Sequence, residues 1–174
     1  MTFEIAPMLW GHIDDVLDIE SQCFGADAWS ADAFWSELSA VPHAKYYIVA
    51  LVGESVIGYA GLQFIAPESE VLTVAVHPNW QRQGVARALI SHLEQVAMAH
   101  GCSIVHLEVE DSNTSARAMY ARAGYREVGL RPSYYGPGRD AVLMTKNLAE
   151  ATRLAETTPL DETQQQGGDV HAGE

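Results

Sequence analysis

The chain has 174 residues, of which 48% are apolar, and it carries a formal charge of −13. That length and apolar content suit one globular domain with a full hydrophobic core and are too small for two comfortable ones. The acid excess argues against general nucleic-acid binding, which needs basic patches to neutralise phosphates, and no apolar run approaches the length that crosses a bilayer.

Met1 to Met8 lacks a basic start followed by an apolar stretch, so it does not read as a signal peptide, and a cytoplasmic protein is expected. Phe3 to Met8 reads as a short strand. His12 to Phe24 places Ile13, Val16, Leu17, Ile19 and Cys23 on one side and acids on the other, the pattern of an amphipathic helix. Ser30 is a suitable N-cap for a second helix over 31–38, with Phe34, Trp35 and Leu38 on one side. Two strands, Lys45 to Val52 and Ser55 to Phe64, flank a Gly53-Glu54 turn. Glu70 to Val76, rich in β-branched residues, predicts a strand buried on both faces.

Gly84 to His100 is the strongest helix, with a stripe of Ala86, Leu89, Ile90, Leu93, Val96 and Ala97 and a stop at Gly101. Ser103 to Glu110 predicts another buried strand. Asn113 to Ala123 predicts a helix closed by Gly124. Strands over Tyr125 to Leu130 and Ala141 to Asn147 follow, joined by a loop rich in Tyr, Gly and Pro over 131–140.

The fold expected is α/β (α+β), a single domain over 1–149 with a mixed central sheet of about six to seven strands, antiparallel in its first half, flanked by about four helices. Residues 150–174 hold six carboxylates and one arginine, a net of −5 that leaves −8 on the domain, and predict an acidic, disordered tail. Cys23 and Cys102 sit in or beside apolar periodic segments and read as reduced, mostly buried thiols. No His or Cys spacing matches a zinc site; His100, Cys102 and His106 are close in sequence without forming one, so no metal is expected.

The chemistry concentrates in Leu72 to Arg87, LTVAVHPNWQRQGVAR. A buried strand ends, turns through His77-Pro78-Asn79 and delivers Gln81 to Ala86 to the start of the long helix. Gly84 lets the backbone approach a ligand closely. The unpaired N–H groups of the first helical turn, with the helix dipole, favour an anion. Arg82 and Arg87 add positive charge in an acidic chain. A helix that simply starts with glycine would share part of this pattern. GxGxxG is absent, which sets aside a dinucleotide fold.

The whole string, Gln81-x-x-Gly84-x-Ala86 after a strand ending in Val-x-Pro, resembles the acetyl-CoA pyrophosphate loop of the GCN5-related N-acetyltransferases. Leu107-Glu108-Val109, Ser112-Asn113, Ala116 to Tyr120, Ala123-Gly124-Tyr125 and Tyr134-Tyr135 add to the likeness, which spans residues 3 to about 147 and is strongest to the bacterial ribosomal-protein N-terminal-alanine acetyltransferases. Gly136 departs from that group, which follows Tyr-Tyr directly with Pro.

The resemblance implies acetyl-CoA as co-substrate, with its pyrophosphate on Arg82, Gln83, Gly84, Val85, Ala86 and Arg87. Its pantetheine arm would lie along Val74, Ala75 and Val76, with Asn113 as a further contact. Glu108 would be the proton acceptor and Tyr120 the proton donor. Tyr134 and Tyr135 would wall the acceptor channel, and a ribosomal-protein N-terminus would be the partner.

Read without the resemblance, Glu108 is a carboxylate in an otherwise apolar strand, costly unless paired, functional or at a solvated strand end. Tyr120, taken alone, reads equally as a core aromatic. Two rival functions stay open: an acetyltransferase acting on lysine side chains or small amines, and a non-catalytic acyl-CoA-binding regulator.

Overall fold

The computed structural model describes residues 2–150, so apart from Glu150 the expected tail lies outside the described residues. Seven strands form one sheet: β1 (Glu4–Pro7), β2 (Lys45–Val52), β3 (Ser55–Ile65), β4 (Glu68–Val76), β5 (Ile104–Glu110), β6 (Arg126–Arg131) and β7 (Ala141–Asn147). Among the described residues they are accompanied by the α-helices α1 (Ile13–Phe24), α2 (Ala31–Ser39), α3 (Val85–Ala99) and α4 (Thr114–Arg122). The strand order is β1-β2-β3-β4-β5-β7-β6, with β4 and β5 parallel and every other pairing antiparallel. The expected mixed sheet and its central β-α-β unit are both present.

Local chemistry accounts for most element boundaries. Ser30 Oγ accepts the Ala33 amide at 3.3 Å and starts α2, and Gly53, at φ +60°, turns β2 into β3. In α3 the residues Val85, Leu89, Ile90, Leu93 and Ala97 are buried against the sheet. Truncating one of the larger of these to Ala would cost roughly 2–5 kcal/mol.

Two cores lie on opposite sheet faces, one beneath α3 and α4 and one beneath α1 and α2. The α1 side carries a correction. Glu20, expected on the acidic outer face, is 2% exposed. Its Oε1 accepts the Trp29 amide at 2.9 Å, tying the α1–α2 connection down, and burial pushes its pKa above the usual carboxylate range.

The strands expected to be buried on both faces are not. In β5, Val105, Leu107 and Val109 are buried while Ile104, His106, Glu108 and Glu110 are half-buried, and β4 is half-buried over Leu72 to Val74. The cause is uneven coverage. The α3–α4 core reaches Val105, Leu107, Val109, Val142 and Met144, whereas the α1–α2 core stops at β4. The opposite face of β5 and β7 is left as an open groove of about 270 Å³, lined by Glu68, Glu70, His106, Glu108, Arg131 and Thr145 among others.

Candidate active site

The loop before α3 is built to turn backbone amides outward. Arg82 and Gly84 both have positive φ, +61° and +86°, so this stretch takes the left-handed conformation twice before the helix begins. Such turns make a concavity of N–H groups that favours an anion, and here it opens onto the first turn of a 15-residue helix. A Cβ at Gly84 would meet nothing within 4 Å, so glycine is required there by its backbone angle and not by crowding.

The loop is braced from within. Gln81 Nε2 donates to the Val76 carbonyl at 3.1 Å and Gln83 Nε2 to the Asn79 carbonyl at 3.0 Å. Gln81 and Gln83 thus use side-chain donors to hold the loop's shape. Arg82, Gln83, Gly84 and Arg87 are exposed, Ala86 is half-buried, and Val85 is buried in the core.

Beyond this loop β4 and β5 part company. Their parallel pairing covers Glu68 to Val71 against Ile104 to Leu107 and then ends. Thr73 to Val76 pair only with β3, and Glu108 to Glu110 only with β7. A β-bulge coincides with the split: Gly61 pairs with Thr73 and Leu62 with Val71, leaving Leu72 as the extra residue. Bulges bend a strand and raise its twist, which is how β4 swings away from its neighbour. The result is a cleft inside the sheet in which Val74, Ala75 and Val76 have no strand partner on the β5 side, the place for an extended ligand with amides of its own. The Val76 carbonyl already accepts from Gln81 and from Cys23 Sγ at 3.4 Å.

Glu108 is the first β5 residue past the split. Arg131 Nη1 stands 2.8 Å from its Oε1, and the Arg131 guanidinium lies 4.8 Å from the Tyr134 ring centroid. Tyr134 and Tyr135 pack edge to face, 5.0 Å apart. Desolvation first, then the Glu108 carboxylate, raises the pKa of both phenols, that of Tyr135 to about 12.

Tyr120, near the end of α4, is buried, and its phenol is pushed up to about 12 by desolvation and then by Tyr135. Tyr135 therefore sits electrostatically between Glu108 and Tyr120. Four of the expected residues come together here from β5, α4 and the β6–β7 connection. Asn113 stands apart at the head of α4, exposed, its Oδ1 accepting the Ala116 amide at 3.1 Å as the N-cap. Its side-chain nitrogen is the group left to face a ligand.

Gly136 has φ +126° and closes a tight turn in which the Gly136 amide donates to Ser133 and the Arg139 amide to Gly136. Sequence reasoning missed Arg131, Arg139, Asp27 and Glu110 in this region. A faint signal was present, since two of the ten basic residues bracket the Tyr-Tyr pair. The histidines and cysteine weighed as metal ligands take other partners: Cys102 Sγ donates to the Glu68 carbonyl, His100 stacks on Phe64, and His106 lies between Thr145 and Glu68.

Residues 13–125 match the acetyltransferase (GNAT) family. The chain is 37% identical over 136 residues to N-alpha-acetyltransferase RimI of Mycobacterium tuberculosis, covering 75% of this chain and 83% of that protein. It is 36% identical over 140 residues to an uncharacterised protein of Mycobacterium leprae, covering 77% of this chain but only 38% of that longer protein. In structure it is similar to the crystal structure of the ribosomal-protein-S18-alanine N-acetyltransferase from Escherichia coli, with a TM-score of 0.75 at 25% identity over 95% of this chain and 100% of that one.

Proposed function

The chain belongs to the acetyltransferase (GNAT) family and is an acetyl-CoA-dependent N-acetyltransferase, and from that premise we propose that its acceptor is the free α-amino group at the N-terminus of a protein. One observation carries the reading. Glu108 stands where the β4–β5 cleft, the route for a thioester arm, meets the open groove on the other face, and the Tyr134-Tyr135 loop lies beside it. The activity for which the E. coli protein is named supports a finer version, in which the acceptor is the N-terminal alanine of a ribosomal protein. We place the reaction in the cytoplasm; no helix among the described residues is long and apolar enough to cross a membrane.

The chemistry then divides among the chain's own groups. The amides of Gln83 to Arg87, with Arg82 and Arg87, receive the pyrophosphate of acetyl-CoA, and Val74 to Val76 pair with its pantetheine arm. Asn113 adds a side-chain contact. An α-amino group has a pKa near 8, so at neutral pH most of it must lose a proton before attack. The arriving ammonium takes the place that Arg131 Nη1 holds on Glu108, and the carboxylate accepts that proton.

The neutral nitrogen attacks the thioester carbon, and an N–H of the β4 segment steadies the developing oxyanion. The C–N bond forms and the C–S bond breaks; the thiolate takes its proton from Tyr120, and the proton shed by the acylated nitrogen passes to solvent, from which the Tyr120 phenol is restored. With its ionisation near 12, Tyr120 keeps that proton at neutral pH. Tyr134 and Tyr135 flank the amine.

A peptide panel tests the acceptor. Peptides with a free N-terminal alanine should gain one acetyl group at the α-nitrogen by mass spectrometry, and the same peptides blocked at the N-terminus should not react. Transfer to a lysine of the blocked peptides, at a rate like that of the free ones, would move the acceptor to a side-chain amine.

A further inference from the structure

We propose that Arg139 is a positioning residue that clasps the two loops bordering the acceptor channel and so sets how wide that channel is; the proposal rests on the protein N-terminal reading of the same site. Its guanidinium joins three segments that the sequence keeps far apart. Nε and Nη2 take both carboxylate oxygens of Glu110, at 3.0 and 2.8 Å, two residues beyond Glu108 on β5. Nη1 donates to Asp27 Oδ2 at 2.7 Å, in the turn that follows α1, and to the Tyr135 carbonyl at 3.0 Å. Asp27 and Arg139 are 112 positions apart, and no other side-chain bond among the described residues links these two loops.

Stability alone is a poor reason for this arrangement. The guanidinium is 41% exposed and Asp27 50%, and ion pairs so exposed contribute little to folding. Geometry is the better reason. The fork on Glu110 fixes the plane of the guanidinium, as a paired guanidinium and carboxylate do. That plane then sets where the Tyr135 backbone and the Asp27 turn can sit. Tyr135 feels the Glu108 carboxylate and in turn acts on Tyr120, and the Asp27 turn leads into Trp29, whose amide Glu20 holds. The clasp thus connects the loop that carries the acceptor-side tyrosines to the anchored turn after α1. Lysine would keep the charge but not the fork.

Arg139→Lys and the milder Asp27→Asn separate the outcomes. Both are read as purified full-length protein for acetyl-CoA affinity, for kcat and KM with peptides beginning with Ala or with Leu, and for backbone hydrogen exchange. The clasp predicts unchanged acetyl-CoA affinity. It also predicts a KM for the Ala peptide raised about tenfold or more in Arg139→Lys, and a preference for Ala over Leu reduced at least fivefold in both variants. In Asp27→Asn, exchange should quicken in residues 133–139 as well as around 27, although the substitution lies on the other loop. An unchanged preference, with exchange altered around residue 27 alone, overturns the clasp. If the wild-type enzyme turns over only blocked or small-molecule amines, the acceptor reading fails while the exchange experiment still decides the clasp.

Discussion

The donor and acceptor sides of this site are built in opposite ways. The proposed pyrophosphate cradle is a continuous run, Gln81 to Arg87, whose working groups are backbone amides set by two left-handed residues and a helix start. The proposed acceptor side is assembled from side chains on β5, α4 and the β6–β7 loop, held by Arg131 on Glu108 and by Arg139, which bridges Glu110 and Asp27. A backbone site tolerates changes of side chain and fails when the φ angle is lost. A side-chain site fails one group at a time. On the proposed reading, the fixed half serves a co-substrate that does not vary, and the half made of side chains sets acceptor preference.

The largest expected effect is on proton transfer. Glu108→Gln and Tyr120→Phe keep size and remove one titratable group each, and general acid–base catalysis is typically worth 100- to 10,000-fold, or about 3–5 kcal/mol of barrier. Steady-state kinetics should show kcat falling by that factor while acetyl-CoA affinity, set in the cradle, barely moves. The Glu108→Gln profile should recover towards alkaline pH, where the amine is already neutral. Near-normal kcat in both variants at neutral pH would leave positioning as the whole of catalysis.

Next in size is an alkaline effect that isolates Tyr120. Its folded pKa near 12 lies above the ordinary phenol value near 10, so its stabilising contribution is complete below about pH 10 and is lost as pH rises through 12. The shift corresponds to about 2–3 kcal/mol. The stability gap between the wild type and Tyr120→Phe in urea titrations should therefore change by that order between pH 9 and 12. A pH-independent gap would mean that the phenol is open to solvent.

The cradle gives a smaller change of a different kind. Gly84→Val places a β-branched residue at φ +86°, a strain of roughly 1–2 kcal/mol or more, although its Cβ would meet no neighbour. The fold should survive, and calorimetry should find acetyl-CoA bound about tenfold or more weakly, with the acceptor KM close to wild type. Unchanged acetyl-CoA affinity would move the pyrophosphate off this loop.

The same division explains what could be read from the sequence. Ser30, the Gly53-Glu54 turn, the α3 stripe and the Gln81–Ala86 string are local signals, in which each residue's partner lies within a few positions. The roles proposed for Glu108 and Tyr120 come from the family pattern. The rest depends on pairings no window contains. That β7 inserts between β5 and β6 follows from register across the sheet. The bulge at Leu72 that opens the cleft is visible only against β3. Glu20 looked like one more surface acid because its partner, the Trp29 amide, is a loop group nine residues on. Burial of β4 and β5 on both faces was expected from their apolar residues alone, while coverage depends on where α1 and α2 end.

The smallest expected effect tests whether the acidic tail belongs to either side. Residues 150–174 carry neither apolar periodicity nor a motif, so their removal should leave kcat within about twofold, roughly 0.4 kcal/mol in barrier terms. Their net charge of −5 acts differently, since removal takes the chain from −13 to −8. A cationic acceptor peptide would then be steered less strongly, and such steering is screened within about 8 Å at physiological salt and within about 30 Å at 0.01 M. The truncated enzyme should therefore show a kcat/KM lowered a few-fold for a basic peptide at low salt, converging on the full-length value near 0.15 M. A neutral peptide should show no difference at either salt. A loss that persists at high salt, or that falls on kcat, would mean that the tail makes contacts at the acceptor channel and belongs with its side-chain half.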